Sequence, residues 1–93
     1  MDRIEIKEIL LDEFDMQAAH VEQAAERICE FDSELAEKFA AYVKERKAPE
    51  LAEGAYTFET LQQDYRLKPV GAFLMLDWLR RDRESAEYAL SLL

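Results

Sequence analysis

The sequence predicts an all-α fold, a compact bundle of about five to six short helices around one buried central helix. The chain has 93 residues but only two glycines and two prolines, too few for the frequent tight turns of an all-β domain. Its residues are 49% hydrophobic and 35% charged, which is typical of a folded rather than a disordered chain. A chain of this length has room for one modest core. We therefore expect residues 1–93 to form a single helical domain.

The central helix is predicted over residues 69–81. Between Val70 and Leu79 this segment has one charged residue, Asp77. At 100° per residue its apolar side chains point in every direction, and a helix without a polar side belongs in the interior of a domain. The segment is shorter than the roughly 20 apolar residues that cross a bilayer. Pro69 suits the first position of a helix, so we expect the helix to begin there.

The N-terminal part of the chain is expected to form two helices. Residues 3–13 fit a first helix, although the alternation over residues 4–7 leaves a short strand as the alternative. Asp15 has the side chain of a helix cap and precedes a helical pattern over residues 16–31. The sequence therefore predicts a second helix capped by Asp15.

A third helix is predicted over about residues 34–47. Either Asp32 or Ser33 can cap it, because both residue types accept hydrogen bonds from the first backbone N–H groups of a helix. Pro49 ends it, since the residue before a proline avoids the α conformation. Alanines on the apolar side of the second helix would allow close approach, so we expect the second and third helices to pack as an antiparallel pair.

Two further short helices are predicted in the C-terminal part. Leu51 is expected to anchor the connection that follows the third helix. Thr57 can cap a fourth helix over residues 58–65, and Asp82 can cap a last helix over about residues 83–92. With the central helix between them, these segments bring the number of predicted helices to six.

Residues 58–81 have the spacing of a helix-turn-helix motif. A helix that reads DNA in the major groove needs Arg, Lys, Asn, Gln or Ser along an exposed side. The second helix of this motif begins instead with apolar residues, including Val70, Phe73 and Leu74. These residues argue against nucleic acid as a partner. A helix-turn-helix-related regulator linked to nucleic acid stays as an alternative function.

The negative charge is concentrated at the N-terminal side. The formal net charge is −9, and residues 1–37 carry 12 acidic and three basic residues, whereas residues 38–93 carry nine of each. Such an acidic segment repels nucleic acid and anionic membranes. Glu22, Glu26 and Glu30 follow one another at helical spacing. An acidic decoy that binds a basic protein is therefore a second alternative function.

Two groups of cations are the candidate contacts for a partner. One group closes the third helix and the other follows the central helix, so both also fit the simpler role of stabilising a helix C-terminus. The candidate residues are Arg80, Arg81, Arg83, Lys44, Arg46 and Lys47.

The residues that could carry chemistry are not arranged for it. His20 is the only histidine and has Gln17 rather than a glutamate three residues before it. Cys29 lies roughly 13–14 Å from His20 along a helix, too far to share a metal ion. Its neighbours Glu26 and Glu30 do not favour a nucleophilic thiolate, so we expect a buried, structural cysteine. No phosphate-binding glycine loop or hydrolase motif is present. We predict no catalytic residue, no metal, no cofactor and no enzymatic activity.

The leading hypothesis is a small soluble helical module for protein interaction or regulation. The chain has one cysteine, and residues 1–5 lack the basic and apolar regions of a signal peptide, so we expect a cytoplasmic protein in a reducing compartment. The chain has more aromatic and aliphatic residues than a small core can bury, so some are expected on the surface and available to a partner. The expected partner is another protein or a second copy of the chain, without a membrane.

Overall fold

The computed structural model describes residues 1–93 and contains six helices and one two-stranded hairpin, which confirms the all-α prediction. The backbone divides into two compact units, an N-terminal unit of residues 1–46 and a C-terminal unit of residues 47–93. The single domain stays a prediction. The elements are α1 (Arg3–Asp12), α2 (Ala18–Cys29), α3 (Ser33–Glu45), β1 (Ala52–Glu53), β2 (Tyr56–Thr57), α4 (Phe58–Gln63), α5 (Pro69–Arg81) and α6 (Arg83–Ser91).

Helix α1 forms where the sequence left a helix and a strand open. The side chain of Asp2 accepts a hydrogen bond from the backbone N–H of Glu5 at 2.9 Å and caps the helix. Ile6 and Leu10, four residues apart, are both buried, as expected for one side of an amphipathic helix. Helix α1 packs along α2.

Helix α2 begins later than predicted, and Asp15 does not cap it. Asp15 has φ 52°, a left-handed conformation that reverses the chain instead of starting a helix. The Met16 N–H bonds back to the Leu10 carbonyl at 3.0 Å, so this segment closes the end of α1. Gln17 stands at the helix start without a side-chain capping bond. The residues that α2 buries are Val21, Ala24, Ala25 and Ile28.

The predicted close approach of α2 and α3 is wrong, because the close neighbour of α2 is α1. The antiparallel direction of the two helices stays a prediction. Aromatic rings surround α3 where alanine contacts were expected. Phe39 is fully buried, and its ring centroid lies 6.2 Å from that of Phe31 and 6.5 Å from that of Phe14. Rings of this size hold the helix backbones apart, whereas Ala36 and Ala40 are exposed.

Helix α3 has a defined start and end. The carboxylate of Asp32 accepts a hydrogen bond from the Leu35 N–H at 2.9 Å, so Asp32 and not Ser33 is the cap. Arg46 takes a left-handed conformation with φ 56° and its N–H bonds to the Tyr42 carbonyl, which is a common way to end a helix.

The C-terminal unit begins with a hairpin that the sequence did not predict. Strands β1 and β2 pair antiparallel, with Ala52 opposite Thr57, and Gly54 supplies the turn with φ 62°. Leu51 is buried, as expected. Thr57 then caps α4: its hydroxyl accepts a hydrogen bond from the Thr60 N–H, and its own N–H donates one to the Thr60 hydroxyl, each at 2.9 Å.

Helices α4 and α5 keep the helix-turn-helix-like order predicted for residues 58–81. Arg66 turns the chain with φ 58°, and the Leu67 N–H bonds to the Leu61 carbonyl at 3.2 Å. The two helices pack together, with the rings of Phe58 and Phe73 at a centroid distance of 4.9 Å.

Helix α5 is the buried central helix of the C-terminal unit, with β1, α4 and α6 as its neighbours. It buries Val70, Ala72, Phe73, Leu76, Asp77 and Leu79. One expectation about it is wrong, since the helix is not buried on every side: Gly71, Leu74, Met75 and Trp78 are among its half-buried residues. These four lie together on the side opposite the buried residues.

Helix α6 starts at Asp82, whose carboxylate accepts a hydrogen bond from the Ser85 N–H at 3.3 Å. Ala86 and Leu90 are its buried residues. None of the six helices combines the length and the apolar character that a membrane span requires.

The capping of α3 gives a direct test of the local structure. Replacing Asp32 by Ala should lower the free energy of unfolding by about 1 kcal/mol, because the Leu35 N–H loses its acceptor. Ser33→Ala is the matched control and should change it by less than about 0.5 kcal/mol. Urea unfolding of both variants measures the difference, and equal losses would contradict the assignment of the cap.

Candidate functional site

The candidate site is the half-buried apolar side of α5, which we call the α5 stripe. It consists of residues three or four positions apart, which places them on one side of a helix. None of them is charged, and all are half-buried. The α5 stripe comprises Gly71, Leu74, Met75 and Trp78, and Leu67, just before the helix, lies beside Gly71.

Gly71 makes a notch in this stripe that the fold itself does not require. A Cβ placed at Gly71 would meet only the Leu67 side chain, at 3.6 Å from its Cβ and 3.9 Å from its Cδ2, which is ordinary van der Waals contact. Its φ is not positive, so alanine would fit. Glycine inside a helix costs about 1 kcal/mol relative to alanine. No contact within the chain requires glycine at this position in place of alanine, so the contacts do not explain this loss of stability.

Trp78 is the largest side chain of the stripe and the only tryptophan in the chain. It follows Gly71 by seven residues, which is about 10.5 Å or two helical turns. Leu74 and Met75 lie between them on the same side. The stripe therefore carries a large side chain near one end, a notch near the other and flexible apolar side chains in the middle.

The three arginines predicted as partner contacts in the C-terminal unit have carboxylate neighbours within the chain. The pairs are Arg80 Nε with Glu53 Oε2 at 3.3 Å, Arg81 Nε with Asp77 Oδ2 at 2.9 Å, and Arg83 Nη1 with Glu87 Oε2 at 3.7 Å. The Asp77 carboxylate is buried, and a buried charge needs such a partner. These contacts support a structural role for the arginines.

The hairpin is joined to α6 by a polar cluster. The Tyr56 hydroxyl donates a hydrogen bond to Glu87 Oε2 at 3.2 Å, and the Arg83 guanidinium lies beside Gly54. The ring of Tyr65 lies 6.2 Å from that of Tyr56. Partial burial, reinforced by the hydrogen bond to the Glu87 carboxylate, raises the pKa of Tyr56 above its ordinary value.

The cations near the end of α3 are divided between the units and are only partly engaged. In the N-terminal unit, Arg46 Nη2 lies 2.8 Å from Glu13 Oε1 and its guanidinium carbon lies 4.4 Å from the centre of the Phe14 ring. This ion pair and the cation–π contact hold the side chain against α1 and its following turn. Lys44 in the N-terminal unit and Lys47 in the C-terminal unit are exposed.

Cys29 is exposed, so the prediction of a buried cysteine is wrong. It is the last residue of α2, where the apolar side ends at Ile28 and the following turn leaves the thiol uncovered. His20 is also exposed. No group of three or more His, Cys, Asp and Glu side chains is placed to hold a metal ion.

The acidic ladder of α2 is partly neutralised within the N-terminal unit. Lys7 Nζ contacts Glu22 Oε2 at 2.7 Å, and this hydrogen-bonded ion pair lowers the pKa of Glu22. Arg27 near the end of α2 pairs with Glu30, which follows the helix. The acidic-decoy hypothesis stays a prediction.

The comparisons with known proteins add no relative from which a site could be transferred. No protein-family model, no curated protein and no solved structure matches the chain. The interpretation of the α5 stripe therefore depends on its own geometry and chemistry.

The site residues predicted from the sequence are all cations, and none of them belongs to the α5 stripe. The sequence does contain one indication of this side of α5. Gly71 interrupts the most apolar helix, although the chain has only two glycines. A helical glycine without a turn to make indicates close approach by another group. Which side of α5 stays open depends on neighbours that the sequence does not place.

The Tyr56 hydroxyl gives a pH-dependent prediction. Because its pKa is raised in the folded chain, its contribution to stability is fully present below the unfolded pKa of about 10 and is lost as the pH rises through and beyond that value. Stability should therefore fall between about pH 9 and 11 by more in the parent chain than in Tyr56→Phe. Urea midpoints of both proteins across this range measure the difference, and parallel curves would contradict the prediction.

Proposed function

We propose that the chain is a small helical protein-interaction module whose binding surface is the α5 stripe, and that it is not an enzyme. One observation carries the proposal, namely the row of half-buried apolar side chains beside Gly71 on an otherwise buried helix. Apolar surface left in water favours association, by roughly 25 cal/mol for each Å² that a partner covers.

The same structure disfavours the nucleic-acid alternative. The first turns of α5 bury Val70, Ala72 and Phe73, so they present no donors or acceptors to base edges. The arginines that follow α5 already contact Glu53, Asp77 and Glu87. A protein surface that excludes water from the α5 stripe fits these features better than a phosphate backbone does.

A photo-crosslinking experiment tests this function. A photoreactive amino acid in place of Met75, in cells that make the chain, should give a small number of discrete protein adducts, because a partner covers this side of α5. An excess of the unlabelled chain should compete the adducts away. The readout is the mass of the adducts and the identity of the crosslinked peptides.

The matched control places the same amino acid at Ala19, which is exposed on α2. This position should give no competable adduct. The proposal is contradicted if Met75 gives none either, or if both positions give the same adducts with the same sensitivity to competition.

A further inference from the structure

We infer that the outer side of α1 binds a basic, amphipathic helical segment of a partner protein. The outer side of α1 is the set of exposed residues that point away from its buried Ile6 and Leu10, namely Ile4, Glu5, Glu8, Leu11 and Asp12. This surface belongs to the N-terminal unit. The inference therefore goes beyond the proposed function of the α5 stripe and does not depend on it.

The apolar part of this surface consists of two aliphatic side chains in water. Ile4 is 67% exposed and Leu11 is 43% exposed. They are seven residues apart, which is two helical turns or about 10.5 Å on the same side of α1. Covering exposed aliphatic surface favours association. Two such residues at helical spacing match aliphatic residues at the same spacing on a partner helix.

The acidic part of this surface has no counter-charge within the chain. Lys7 Nζ lies 2.7 Å from Glu22 Oε2, and Arg46 Nη2 lies 2.8 Å from Glu13 Oε1. These two cations are therefore engaged away from the outer side. The carboxylates of α1 that take part in no ion pair are those of Glu5, Glu8 and Asp12.

Two of these carboxylates oppose the stability of the helix that carries them. Glu8 and Asp12 are four residues apart, a spacing at which like charges repel each other. Asp12 is also the last residue of α1, whose last turn has no basic residue, and a negative charge at that end opposes the helix dipole. A cation from a partner would relieve both effects, and no cation of the chain does so.

A shallow groove with a volume of about 260 Å³ runs along the acidic part. Its lining combines carboxylates with one aliphatic side chain: Glu5, Glu8, Ile9, Asp12 and Glu13. Lysine and arginine suit such a groove, because their stems pack on apolar surface while their charged ends reach carboxylates. A second copy of the chain, with its formal charge of −9, and nucleic acid are both repelled by this surface.

Titration of the full chain with a synthetic basic peptide tests the inference. The probe has about 14 residues, roughly 21 Å as a helix, with leucines at helical spacing on one side and lysines elsewhere. Amide chemical shifts of the isotope-labelled chain should change most along α1, and the same titration gives the dissociation constant. A neutral probe with glutamine in place of lysine should bind at least about tenfold more weakly.

Ile4→Gln combined with Leu11→Gln tests the apolar part. Glutamine is a good helix former, so α1 should persist, and circular dichroism checks this. The affinity for the basic probe should fall at least about tenfold, because two aliphatic contacts are lost. The matched control combines Leu92→Gln with Leu93→Gln, at positions that are 69% and 70% exposed on the other unit. It should change the affinity by less than about twofold.

Glu8→Gln combined with Asp12→Asn separates binding from stability. This variant should melt at a higher temperature than the parent chain, because it removes the repulsion within α1 and the charge that opposes the dipole. It should nevertheless bind the basic probe about fivefold more weakly at low salt. The matched control combines Glu26→Gln with Glu37→Gln, which removes the same charge from exposed positions of α2 and α3. Its affinity should change by less than about twofold.

Four results would overturn the inference. They are shift changes spread over all acidic surfaces, equal losses in the variants and their controls, a neutral probe that binds as tightly as the basic one, and no binding at about 50 mM salt. If the shifts of α1 change with the concentration of the chain alone, the occupant is a second copy and the basic partner is wrong. Crosslinks at Met75 are unaffected by any of these results, so the proposed function is tested separately.

Discussion

The C-terminal unit depends on the contact between Phe58 and Phe73, whose ring centroids lie 4.9 Å apart. Both side chains are almost completely buried, and the contact fixes α4 on one side of α5. The Phe58 N–H also bonds to the Leu51 carbonyl at 3.0 Å, which ties the start of the hairpin to the same point. With Phe73 directed inward, the helical period directs Gly71 and Trp78 outward. The core contact and the α5 stripe are therefore two consequences of one constraint.

A comparable ring organises the N-terminal unit. Phe39 on α3 is fully buried, and it lies beside Phe14 and Phe31, which flank α2 in sequence. Arg46 covers the outer side of Phe14 and pairs with Glu13, so a cation that resembled a partner contact contributes to this packing. Each unit thus uses aromatic contacts for its core and charged side chains at its edges.

The features predicted correctly from the sequence are those that depend on interactions between residues close together in the chain. The start of α5 at Pro69 and the caps Thr57 and Asp82 were predicted because a cap acts on backbone groups within three residues. The prediction that Asp15 caps α2 is wrong, because this residue reverses the chain after α1 instead. Periodicity shows which side chains share one side of a helix, but it does not show how much of that side the neighbours cover. The six-residue α4 is too short to enclose α5, and no local pattern reveals that.

The central claim is that one side of α5 lies in the core of the C-terminal unit, whereas the other side, the α5 stripe, is only half-buried and is the proposed binding surface. The most direct measurement compares the free energies of unfolding of Phe73→Ala and Trp78→Ala at about 1 μM chain, by urea titration. Phe73→Ala should cost about 3–5 kcal/mol, as for a large core residue, and Trp78→Ala should cost less, since its side chain is only half-buried. Equal costs would contradict the claim, because Trp78 would then belong to the core and the α5 stripe would be structural.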